Sequence, residues 1–126
     1  MSLLAALFLA QAANLPTIPY TPRDRGTPFE NAGAFMRLCE PAARGTGPGE
    51  IFGMCFGYLQ GLIDRDKLLP PHLFCIPSVS HQNLMKVVIE YLHRHPETHT
   101  FQTDGPVMTA LREQFPDTAN RRACAS

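Results

Sequence analysis

The chain has 126 residues, 44% of them apolar, and its eleven Lys and Arg balance eleven Asp and Glu, so the formal charge is zero. That length suits one domain. The charge balance excludes a dedicated phosphate-binding surface, because nucleic-acid affinity rests on clustered Lys and Arg. Residues 3–10 form a short apolar run, and Ala10-Gln11-Ala12 fits a small-x-small cleavage pattern. We read residues 1–12 as a signal peptide, although no Lys or Arg precedes the run; the rival reading is a short core helix. The run is too short to span a bilayer, so no membrane insertion is expected after cleavage. Residues 13–26, with three prolines and no apolar period, read as an extended lead-in.

Residues 27–126 read as a single all-α domain of four helices. Thr27 followed by Pro28 and Glu30 is a capping box with proline at the first helical position. It predicts a first helix over residues 28–39, with Phe29, Ala32, Phe35 or Met36, and Cys39 on one face. The stretch "EPAARGTGPG" stops it. A second helix, residues 49–66, carries a stripe of Phe52, Phe56, Leu59 and Ile63. Apolar residues surround most of its circumference, which predicts a central position. It also carries Gly53, Gly57 and Gly61, each costing about 1 kcal/mol in a helix interior. That smooth strip reads as a surface for close approach by another helix, within the protein or across a dimer. Ser80 caps a third helix over residues 81–95, ended by Pro96, with Leu84, Met85, Val88, Ile89, Tyr91 and Leu92 inward. A fourth, residues 107–115, is capped by Asp104 and ends at Pro116.

Four cysteines, Cys39, Cys55, Cys75 and Cys124, include no C-x-x-C pair. In an exported chain an even count at wide spacing points to two disulfides rather than a metal site. Short connections make helix neighbours antiparallel, which favours Cys39–Cys55 with Cys75–Cys124. Cys55–Cys75 with Cys39–Cys124 remains open.

Catalytic and metal readings are weak. His93, His95 and His99 cluster, but Pro96 breaks the helix between the last two. His93 and His95 suit the negative end of the third helix. Asp64 and Asp66 sit at a helix end, where solvation or loop capping explains them. No phosphate loop, zinc-protease motif or dinucleotide fingerprint is present. The chain therefore reads as a binding protein: no enzyme, no cofactor, no metal and no nucleic acid. A chaperone-like or structural helical protein is the alternative, and a small hydrolase using a free cysteine is a third reading.

The ordered set "CFGYLQGLID", "FCIPSVSHQNLMKVVIEYLHRHPETH" and "ALREQFP" resembles the Rap/Tai family of periplasmic immunity proteins. These proteins neutralise peptidoglycan amidases delivered by type VI secretion. The matching positions are Cys55, Gly57, Tyr58, Gly61 and Asp64; Phe74, Cys75 and Pro77; Pro96 and Glu97; and Ala110, Leu111, Phe115 and Pro116. Two departures stand out. Asp117 occupies a place where the family has cysteine, and Gly105-Pro106 interrupts the start of the last helix. The resemblance implies a periplasmic helical protein, often a homodimer, whose partner is an amidase effector and which plugs that enzyme's active site. It assigns a scaffold role to Gly53, Gly57, Tyr58, Gly61, Asp64, Phe74, Pro77 and Pro96. Loops on a rigid helical scaffold are the expected contact surface, here residues 97–104, with Glu97, His99, Thr100, Gln102 and Asp104 singled out, together with residues 68–72.

Overall fold

The first helix begins where Asn31 turns the chain. Its backbone is extended, and its side-chain oxygen accepts the Ala34 N–H at 2.8 Å. The computed structural model describes residues 29–117 and Cys124; the expected signal segment, the lead-in and the Thr27–Pro28 cap lie outside them. Within that range α1 is Ala32–Ala43, α2 Gly49–Leu68, α3 His81–Arg94 and α4 Asp104–Gln114, with a 3-10 turn at Pro96–Thr98. The architecture is all-α with four helices, and among the described residues the sole β feature is a bridge between Phe74 and Pro116.

α1 starts and stops later than the expected 28–39. Phe29 and Glu30 form a turn ahead of the Asn31 cap. At the other end Pro41 lies inside the helix, because burial of Ala42 and Ala43 and the anchoring of Cys39 hold the final turn together. The glycines do the stopping. Gly45 and Gly47 take φ of +72° and +99°, a region closed to most side chains. The Pro41 carbonyl meanwhile accepts N–H groups from Arg44 and Thr46.

α3 follows its expected span closely, and its Ser80 hydroxyl accepts the Asn83 N–H at 3.2 Å. It is the central element. α1 packs on it most extensively and α4 lies on another side. All six residues expected to point inward from it are buried. Phe35, Leu59, Met85, Leu92 and Leu111 are among the largest fully enclosed side chains, each contributing about 1.5–3 kcal/mol by leaving water.

α2 is peripheral rather than central. Its stripe of Phe56, Leu59 and Ile63 is buried and Phe52 partly so, yet the opposite face is open. A Cβ added at Gly49, Gly53, Gly57 or Gly61 would meet nothing within 4 Å. Among the described residues no helix approaches the glycine strip. The expected central position fails because the glycine side of the helix has no side chains to bury.

Both disulfides follow the favoured pairing. Cys39–Cys55 ties α1 to α2 with Cα atoms 5.8 Å apart, and Cys75–Cys124 spans 5.3 Å. The Cys75 N–H donates to the Phe115 carbonyl at 2.8 Å, so the approach to α3 meets the end of α4, as antiparallel neighbours require. With no free cysteine, the thiol-nucleophile reading has no residue to use.

The glycines make a paired prediction for urea unfolding at dilute protein concentration. Gly57→Ala should raise stability by up to about 1 kcal/mol, since it relieves backbone entropy in open space. Gly33→Ala should lower it by about 1–3 kcal/mol, because the new Cβ would lie 3.0 Å from the His99 Cβ and 3.2 Å from its carbonyl oxygen.

Candidate functional site

Helix N-termini leave backbone N–H groups without intrahelical partners. In α1 these are answered from far along the chain. Ala32 N–H donates to the Phe101 carbonyl and Gly33 N–H to the His99 carbonyl, both at 3.0 Å. The buried Thr103 hydroxyl donates to the Phe29 carbonyl at 2.8 Å. The loop joining α3 to α4 is therefore fixed to the start of α1.

The loop's other end rests on α3. His99 Nε2 donates to the Leu92 carbonyl at 2.7 Å, capping the helix end. His95 stacks on Tyr91, ring centroids 4.2 Å apart, and its Nδ1 lies 3.0 Å from the Glu97 carboxylate. A backbone hydrogen bond, reinforced by His95, holds the Glu97 carboxyl below its ordinary range. His93 pairs with Glu40 of α1 at 3.0 Å. These histidines thus serve the helix end, and among the described residues no cluster of His, Cys, Asp or Glu could hold a metal.

α4 starts at Asp104, three residues ahead of the expected start, and Thr103 rather than Asp104 occupies the cap position. Gly105 and Pro106 fall in its first turn, where a missing N–H costs nothing. Asp104 sits at a junction. One cleft, about 490 Å³, runs past Phe101, Gln102, Gly105 and Thr109. A second, about 390 Å³, lies between α4 and the loop after α2, lined by Leu69, Pro70, Pro71, Leu73 and Met108. Asp104 lines both. Beneath it, Tyr58 stacks on Phe29 at 4.8 Å and tilts against Phe35 at 5.4 Å. Burial, then the Asp104 carboxylate, push the Tyr58 hydroxyl up to about 12.

The loop after α2 is held by Asp66. Its carboxylate, buried at 6% exposure, accepts the Leu73 N–H at 2.8 Å, and its backbone carbonyl accepts His72 Nδ1–H at 2.5 Å. Asp64, two residues earlier, is exposed and bonds Gln60 at 2.9 Å. The supposed acid pair is thus one solvated carboxylate and one loop clamp.

Residues 31–116 match the sequence pattern that describes the Rap1a immunity proteins. The chain belongs to the Rap1a immunity protein family. No curated protein and no solved structure matches it. Several of the motif positions shared with this family have structural duties here. Phe74 and Pro116 form the bridge, Cys75 carries a disulfide, and Tyr58 packs in the aromatic cluster. Of the residues expected to contact a partner, Glu97, Thr100 and Gln102 are exposed, Asp104 is half-buried, and His99 turns inward. Phe101, inside the expected 97–104 segment but not singled out there, stands 55% exposed between them. An aromatic outside every helical stripe was the available signal.

Tyr58 gives a pH prediction. A folded-state value above the ordinary 10 means its contribution is complete below pH 10 and is lost as pH rises through about 12. Burial also raises the Tyr91 hydroxyl, so absorbance titration of the native protein should show late phenol ionisation, and Tyr58→Phe should remove the part of it near pH 12.

Proposed function

We propose that this member of the Rap1a family is a periplasmic binding protein that neutralises a type VI secretion peptidoglycan amidase by covering its active site. The observation that carries the reading is the meeting of two rigidly held loops, residues 97–102 and 69–73, on either side of Asp104. Ordered loops lose little conformational freedom on binding, which favours tight complexes. Phe101, exposed and aromatic with its carbonyl fixed by Ala32, has the character of an interface anchor. Export through the expected signal peptide agrees with two disulfides, which persist in oxidising compartments. No described helix is long and apolar enough to cross a membrane. The role is binding rather than catalysis.

A second copy of the chain is the further partner we propose, across the glycine strip of α2. Exposed Met54 and Leu68 flank that strip. Sedimentation should then show a dimer that Gly57→Leu dissociates while each copy stays folded.

The main test is co-expression in the periplasm with candidate cell-wall amidases. Growth should be restored with at least one of them, and Phe101→Asp should weaken that complex about tenfold or more. Growth arrest with every neighbouring or incoming amidase would sink the immunity reading.

A further inference from the structure

The cleft between α4 and residues 69–73 has largely apolar walls, with Asp104, Asp66 and Arg65 also lining it. Leu69 and Leu73 are 56% and 37% exposed, and with Met108 they line the cleft. Among the described residues no cation lies within 4.0 Å of Asp104, although Arg65 borders the same cleft. Covering Asp104 with an apolar side chain would strip water from a charge without replacing its hydrogen bonds, a cost of several kcal/mol. A lysine or arginine avoids that cost. Its aliphatic stem lies along apolar walls while its head group meets the carboxylate.

Asp66 determines whether the cleft exists. A buried carboxylate is costly unless it is hydrogen-bonded, and here its partner is the Leu73 N–H at the loop's far end. That bond and the one from His72 close residues 66–73 into a rigid wall. We propose that this cleft takes a lysine or arginine side chain of the partner protein, with Asp104 as the recognition acid and Asp66 as the positioning residue that holds the wall. The proposal rests on the amidase-binding reading for the partner's identity and on the cleft itself for its chemistry.

The experiment has two arms. In the first, N-acetyl-arginine methylamide and its uncharged norleucine analogue are titrated into isotopically labelled protein. The arginine probe should shift the Leu73 and Met108 amides in the wild type and not in Asp104→Asn, and the norleucine probe should leave them in place. No arginine-specific shift overturns the proposal, whatever the outcome with amidases. In the second, variants are measured against an amidase recovered in the co-expression screen. Asp104→Asn should weaken binding about tenfold and flatten its salt dependence. Asp66→Ala should speed hydrogen exchange at Leu73 about tenfold or more and weaken binding, whereas Asp66→Asn, which keeps an acceptor, should restore both. Unchanged affinity and salt dependence in Asp104→Asn, alongside a weakened Phe101→Asp complex, would retain the immunity reading and discard this one. Arginine-specific shifts with no neutralised amidase would retain the cleft and discard the immunity reading.

Discussion

The start of α1 and the loop between α3 and α4 complete each other, and the rest of the arrangement depends on that exchange. Buried backbone donors need partners, and Ala32 and Gly33 find theirs in the carbonyls of Phe101 and His99. The contact closes tightly because residue 33 is glycine, with the His99 Cβ close to where a side chain would begin. Thr103 adds a hydroxyl bond to Phe29 from the opposite direction. The consequence is a loop with fixed carbonyls on its inner side and Thr100, Phe101 and Gln102 turned to solvent. Stability and presentation are therefore the same set of bonds seen from two sides.

A second device of the same kind operates at the end of α2. Helix ends leave carbonyls without partners; the Asp66 carbonyl finds one in the His72 ring, while the Asp66 carboxylate accepts the Leu73 N–H. The loop it shapes faces the first one across α4. Asp104, at the head of that helix, lies between them and reaches inward electrostatically as far as Tyr58. Two unrelated arrangements thus border the two clefts that share Asp104.

The helical faces were legible in the sequence because burial follows a period of 3.6 residues. The inward set of α3 appears in the structure as read, as do Ala32, Phe35 and Cys39 of α1 and the Ser80 cap, while Phe29 packs from the turn before α1. Cysteine pairing also followed, since antiparallel neighbours leave few geometries open. Boundaries were less legible. Pro41 looked like a terminator, yet the buried alanines after it continue the helix. Gly105-Pro106 looked like an interruption, yet it fits a first turn. The motif set that resembled the Rap/Tai family lies inside the matched span.

The sequence by itself determined the fold class, the apolar stripes of the first three helices and the family, and it favoured one disulfide pairing, because each rests on local spacing or on residue order. The tertiary structure alone decided three things that depend on long-range contacts. It left the Gly53–Gly57–Gly61 strip open on a peripheral helix, because α1 and α4 pack mainly against α3 instead. It buried Asp66 while leaving Asp64 in water, because only one of the two faces the returning chain at Leu73. And it brought residues 69–73 and 97–102 to either side of Asp104, a juxtaposition that no spacing along the chain encodes.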